Sequence, residues 1–194
     1  MIAYIEGRLS YKSPAVVYLE NNGVGYEILI SLHTYTQLQH LERCRLLTFL
    51  HIKEDAHTLY GFFEESERQV FLQLLSVSGV GASTARMILS SMQPEEIQAA
   101  ILQENEGVLE RVKGIGAKTA KRIILELRDK VLKQKEIPHM PASARSTLQA
   151  DALQALLALG IARSAAESAV QKAMKASPGM QQVEELIKLS LKSM

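Results

Sequence analysis

The chain has no tryptophan, a single cysteine, five prolines and only 5 % aromatic residues in 194 positions. Cys44 alone excludes a disulfide framework and a cluster of cysteine metal ligands, and it suits a reducing compartment. No apolar run reaches the length that spans a bilayer, and no stretch has the layout of a secretory leader, so a cytoplasmic protein with no membrane partner is expected. Neither sign of charge dominates, since 22 Lys and Arg against 21 Asp and Glu leave a net charge of +1. Such a total does not argue against a nucleic-acid partner, because what a partner meets is the charge on one face. The 47 % apolar content suffices for folded cores, and the length fits one large or two to three small domains.

What the chain does have is an internal repeat. Val77-Ser78-Gly79-Val80-Gly81, with Ala85 and Arg86 beyond it, returns 35 positions later as Val112-Lys113-Gly114-Ile115-Gly116, with Ala120, Lys121 and Arg122. In each copy an apolar residue ends one helix, a Gly-x-Gly turn follows, and a second helix begins. The first glycine permits the positive φ of a tight turn, and the second lets another backbone approach closely. N–H groups of the turn and of the helix start then point outward, with the positive end of the helix dipole behind them, which makes an anion site. Val80 and Ile115 are expected to face inward, and Ala85 and Ala120 to allow close helix packing. Gly79, Val80 and Gly81, with Gly114, Ile115 and Gly116, thus read as paired helix-hairpin-helix turns that grip nucleic-acid phosphate. One such turn reads equally well as a plain glycine cap; two in register favour phosphate.

Lys118, Thr119, Lys121 and Arg122 follow the second turn. The three cations oppose the dipole at a helix N-terminus and are misplaced there for stability alone, but a docked phosphate would reverse the sign. Arg86 is a weaker version in the first copy. For any one of these cations a solvated face is the plain alternative. The competing phosphate motifs fail on spacing, for Gly-x-x-x-x-Gly-Lys occurs nowhere and neither turn has the third glycine of a dinucleotide fingerprint.

Around this repeat the chain changes period. Met1 to Tyr11, Ala15 to Glu20, Val24 to Ser31, Arg45 to Lys53 and Thr58 to Phe62 read as strands, separated by Ser13-Pro14, Asn21-Asn22-Gly23 and a polar segment from His33 to Glu42 with room for a short helix. These five strands suit a small closed barrel of the oligonucleotide-binding kind, with a small sandwich as the alternative. Gly23 and Gly25 are expected to mark a bulge or a crowded corner. Glu54 and Asp55 sit at a turn between the last two strands, where an ordinary solvated turn is the plain reading; a metal site with His51 and His57 lacks converging ligands. His33, His40 and His139 have no ligand spacing and read as surface residues.

From Glu64 the period is helical, with Val70, Phe71, Leu74 and Leu75 on one face, a helix opened by Pro94, a short one from Glu106, and a last one from Ala117 to about Lys133. Residues 135–147, with Pro138 and Pro141, read as a flexible tether. Three short amphipathic helices follow, Leu148 to Leu159, Ser164 to Lys175 and Gln182 to Leu191, broken by Gly160 and by Ser177-Pro178-Gly179. Leu156, Leu159, Ile161, Leu186 and Leu189 are core candidates, yet a small helical module on a tether also suggests a docking unit for a protein partner. The expected class is multidomain α+β: a barrel over 1–63, a central all-α domain with two helix-hairpin-helix motifs over 64–134, the tether, and a three-helix module over 148–194.

This order of parts resembles the RuvA family, the bacterial Holliday-junction-binding subunits of RuvAB branch-migration complexes. The marks are the Met-Ile start, Gly23-Val24-Gly25-Tyr26-Glu27, Glu54-Asp55-Ala56 followed by Leu59-Tyr60-Gly61-Phe62, the two hairpins, and Ala158-Leu159-Gly160. The resemblance implies a non-catalytic scaffold without cofactor or metal, which binds four-way junctions as a homotetramer, or as two tetramers face to face. It implies that Glu54 and Asp55 form an acidic pin at the crossover. It also implies that the C-terminal module, through the five apolar residues above, docks RuvB, the hexameric ATPase motor, and that RuvC resolvase is a further partner. Ala82-Ser83 stand where many relatives have a proline and a lysine, Ala117 where a second basic residue often precedes Lys118, and Ile161 where an aromatic is common. Phosphate contacts are therefore expected to be fewer, with Arg86 as a substitute. The rival classes are a helix-hairpin-helix repair enzyme, glycosylase or nuclease, and a ribosome-associated RNA binder; the enzyme would need a nucleophile or metal carboxylates beside the hairpins.

Overall fold

The computed structural model describes residues 1–135, 148–177, 180 and 182–193. The expected tether lies outside them except for Lys135, which ends a helix, and so do Pro178 and Gly179 of the later break. The chain divides into two compact units, Met1–Ile137 and Pro138–Met194.

The first unit begins with five strands, β1 Tyr4–Lys12, β2 Val16–Asn21, β3 Val24–Leu29, β4 Arg43–Ile52 and β5 His57–Phe62, and a helix α1 Leu32–Leu38 between β3 and β4. They close into a barrel in the order β1-β2-β3-β5-β4, which settles barrel against sandwich. Every neighbouring pair is antiparallel except β3 with β5, where Ile28 faces Leu59 and Leu29 faces Tyr60. Closure requires strong curvature, and β1 supplies it with an irregularity between Leu9 and Tyr11 that lets one strand pair with both β2 and β4.

The glycine reading needs correction here. Asn22 and Gly23 have φ of 48° and 83° and form the two-residue turn that joins β2 to β3, so Gly23 is a hairpin glycine. A Cβ on Gly25 would meet nothing within 4 Å. The crowded positions are Gly7, where a Cβ would lie 2.0 Å from the Glu20 carbonyl oxygen, and Gly61, where it would lie 2.5 Å from Ile28 Cγ2. Inside the barrel, Val17, Leu19, Ile28, Ile30, Leu38 and Leu46 are buried together with Cys44. Burial pushes the Cys44 thiol up to about 11, so it stays protonated and inert at neutral pH.

Five helices complete the first unit: α2 Glu65–Leu75, α3 Ala82–Ser91, α4 Pro94–Leu102, α5 Glu106–Glu110 and α6 Ala117–Lys135. The fully buried Phe71 of α2 meets Phe49, Tyr60 and Phe62 of the barrel at ring-centroid distances of 5.6, 5.2 and 4.9 Å. Barrel and helices thus share one core across Phe62 and Glu64. A buried carboxylate sits at the same seam. Glu67 of α2 accepts hydrogen bonds from the hydroxyls of Ser31 and Thr34 at the start of α1, and Thr34 Oγ1 in turn accepts from the Phe63 amide at 3.1 Å. Burial holds the Glu67 carboxyl above the ordinary range; the two hydroxyl bonds and nearby His33 pull the other way.

The second unit holds α7 Leu148–Ala158, α8 Arg163–Ala176 and α9 Val183–Lys192. Its core is small and alanine-rich, made of Ala152, Leu156, Ala166, Val170, Ala173 and Leu186. Gly160, at φ 85°, ends α7, with its N–H on the Leu157 carbonyl and the Ile161 N–H on the Leu156 carbonyl. Among the described residues no helix is long and apolar enough to cross a membrane.

Candidate nucleic-acid interface

The two Gly-x-Gly turns have the same construction. Gly79 and Gly114 have φ of 88° and 90°. Val80 N–H bonds to the Val77 carbonyl and Ile115 N–H to the Val112 carbonyl, each at 3.0 Å, and Ala85 and Ala120 make the first helical bonds to Gly81 and Gly116. Val80 and Ile115 point into the core at 5 % exposure, and Ala85 and Ala120 are fully buried. Because the apolar middle residue is pinned inward, the polar backbone of each turn faces out.

A Cβ on Gly81 or Gly116 would meet no atom of the chain within 4 Å, so the space in front of both turns stands open. Neither α3 nor α6 has an acidic residue in its first turn, in contrast to α2, α4, α5 and α9. No acidic residue in the first turn of either helix therefore offsets its dipole, and both starts remain receptive to an external anion.

The cations divide into two groups. Lys118 and Lys121 are exposed, and Thr119 is half-buried between them. Lys113, next to Gly114, is also exposed; it was not singled out from the sequence, although its place inside the repeat was a signal for it. Arg86 and Arg122 each have a backbone partner within the chain. Arg86 Nη1 donates to the Ala15 carbonyl at 3.1 Å and ties α3 to the segment before β2. Arg122 Nη1 donates to the Ser78 carbonyl at 3.0 Å, so the guanidinium from the second hairpin lies against the first.

Glu54 and Asp55 occupy the tip of the β4–β5 hairpin, closed by the Lys53 N–H to Ala56 carbonyl bond at 2.9 Å. Residues 52–57 are all exposed, and Ile52 at the base of the tip is 63 % exposed. The two carboxylates thus project on a short, fully exposed turn. Among the described residues no three His, Cys, Asp or Glu side chains gather as a metal site.

In the second unit the five apolar candidates separate. Leu156 and Leu186 are fully buried within their own three-helix core, so they have no surface to offer a partner and are removed from the docking set. Leu159 is 64 % exposed, and Ile161 and Leu189 are half-buried.

Comparison with known proteins fits each part of this architecture. Residues 1–61 match the model of the RuvA N terminal domain, 71–129 that of the SAM-like helix-hairpin-helix tandem, and 147–194 that of the RuvA C-terminal domain. The chain is 45 % identical over 197 residues to the Holliday junction branch migration complex subunit RuvA of Cytophaga hutchinsonii, with 99 % of each chain covered. This chain belongs to the RuvA family. It is also 48 % identical to the RuvA subunits of Christiangramia forsetii, over 194 residues and all of both chains, and of Amoebophilus asiaticus, over 193 residues, 99 % of this chain and all of that one. Its function is accordingly that of a RuvA subunit of the branch migration complex, a non-catalytic component, and the repair-enzyme alternative is set aside.

Proposed function

We propose that four copies of this chain assemble in the cytoplasm around a four-way DNA junction, with one duplex arm held by the paired turns of each copy. Backbone phosphates are gripped by the N–H groups around Gly79, Val80 and Gly81 and around Gly114, Ile115 and Gly116, and Lys118, Thr119 and Lys121 add charge and a hydroxyl. Phosphate contacts position without reading bases, so the arms can migrate through any sequence. The observation that carries this reading is the doubling itself: two open turns with matching φ and matching hydrogen bonds in one compact unit.

Four pins at the crossover would bring eight carboxylates near the axis. Their repulsion of phosphate, about 1 kcal/mol per charge pair near 4 Å in water and more where desolvated, would part the strands and restrain spontaneous sliding. On this reading barrel and pin would occupy 1–63, the grips 64–134 and a docking module 148–194. The module would recruit the RuvB hexameric ATPase through the surface around Leu159, Ile161 and Leu189. A second tetramer on the opposite face and RuvC resolvase complete the proposed assembly.

The direct test is a gel-shift competition between a synthetic four-way junction and linear duplex of equal length, at two salt concentrations and without metal or ATP. A junction preference that survives added salt is expected; equal binding to both would leave phosphate grips without junction recognition and reopen the RNA-binding alternative. A second prediction concerns the pin. The double change Glu54→Gln and Asp55→Asn should hold or raise affinity for linear duplex, by about two- to tenfold at low salt, while junction preference falls. Loss of all DNA binding in a folded double variant would refute a repulsive pin.

A further inference from the structure

Among the described residues, side chains brace the first turn from outside and none is seen to brace the second. Both backbone polar groups of Ser78, the residue before Gly79, are taken by side chains of α6: its N–H donates to Glu126 Oε2 at 3.3 Å, and its carbonyl accepts from Arg122 Nη1 at 3.0 Å. The same Nη1 lies 3.4 Å from Ser78 Oγ and 3.6 Å from where a Cβ on Gly79 would be. Arg122 Nε and Glu126 Oε1 are 3.9 Å apart, so the two side chains also face each other. One turn further along α6, Lys130 Nζ donates to Ser76 Oγ at 2.9 Å. Residues 122, 126 and 130 follow the i, i+4, i+8 spacing of one helix face. That face runs along Ser76 to Ser78 as three polar rungs.

We propose that Arg122, Glu126 and Lys130 form a strut that fixes the first phosphate turn relative to the second, and that they are positioning residues for DNA and do not contact phosphate. The inference rests on the phosphate-grip reading above. Two turns on one duplex bind more tightly than one only while their separation matches the spacing of the phosphates they reach; a rigid link keeps that effective concentration high. α6 begins at the second turn, so a contact from its side to Ser78 transmits the position of one turn to the other through a single helix. A carboxylate beside an anion site is otherwise unfavourable, and its place here is accounted for by the Ser78 N–H that it holds and the guanidinium that it faces.

The sign of one substitution separates this role from simple electrostatics. Glu126→Ala removes a negative charge beside the DNA-binding turn, and charge alone would make binding tighter. The strut requires the opposite, a loss of about five- to tenfold in affinity for linear duplex, with the slope of log K against log salt unchanged because no phosphate contact is lost. Arg122→Lys, which keeps the charge and loses the planar fork, should weaken binding by a similar factor, again at constant slope. Glu126→Gln keeps an acceptor for the Ser78 N–H and should bind close to wild type. The control Lys118→Ala with Lys121→Ala should lower both affinity and slope. With wild-type binding and the control as expected, Glu126→Ala at or above wild-type affinity in a folded protein would overturn the strut alone. A lower slope in Arg122→Gln, which removes the charge, would assign Arg122 to phosphate instead. Failure of the wild type to bind, or of the control to lower the slope, would overturn the strut together with the phosphate-grip reading it rests on.

Discussion

Replacing Gly79 and Gly114 together by valine should reduce affinity for a four-way junction by more than about a hundredfold, which corresponds to about 3 kcal/mol. Both glycines sit at positive φ, 88° and 90°, where a β-branched residue is strained by about 1–3 kcal/mol. The turn relieves that strain by rotating its peptide planes. The N–H groups then no longer converge, while Val80 and Ile115 remain free to keep their core places. Because the loss comes from backbone geometry, Gly79→Asn with Gly114→Asn should retain much of the binding, asparagine being tolerated in the left-handed region. Melting curves establish that each variant is folded, and a gel shift then reads affinity. A folded valine double variant with wild-type affinity would remove the turns from the DNA-binding machinery.

The second large effect is expected at Glu67. Glu67→Leu leaves the hydroxyls of Ser31 and Thr34 buried without an acceptor, at a cost of about 1–3 kcal/mol for each, against which the relief of burying a charge sets a partial gain. A net loss of about 3 kcal/mol is the expected result, read from urea unfolding. Glu67→Gln keeps one acceptor and should lose about 1 kcal/mol. The pH dependence has a defined sign. The folded carboxyl titrates above its ordinary value of 4.5, so the native state binds the proton more tightly than the unfolded chain. The stability this proton contributes is fully present below 4.5 and is lost as pH rises through the folded value. The stability of wild type relative to Glu67→Gln should therefore fall as pH rises from the ordinary glutamate value, and a flat or rising difference would contradict burial as the dominant influence. Since Glu67 links α2 to the start of α1, its loss should also loosen the barrel against the hairpins.

The hairpin turns were legible in the sequence because their requirement is local. A positive φ at Gly79 and Gly114, an inward Val80 or Ile115 and a small Ala85 or Ala120 lie within one turn of chain and recur in order. The strands were legible for the same reason, since alternation and turn residues announce β1 to β5 within three residues of their ends. Gly7 and Gly61 were not, because what crowds them comes from other strands: the Glu20 carbonyl and the Ile28 side chain. In the second unit the apolar period marked Leu156, Leu159 and Leu186 alike, and only packing separated the buried Leu156 and Leu186 from the exposed Leu159.

The charged side chains divide along the same line. Composition and spacing were enough to place cations beside an anion-ready turn, and Lys118 and Lys121 stand exposed there. Arg86 and Arg122 carry the same charge at similar offsets from their turns, yet their partners are Ala15 and Ser78, 71 and 44 positions away. A glycine turn is dictated by the backbone of a few consecutive residues, so the sequence determined the two Gly-x-Gly turns and the strands that support the acidic tip. The end point of a long flexible guanidinium depends on which surface the fold brings within its reach, and so the tertiary structure alone decided which cations stand exposed and which bond to a distant backbone carbonyl.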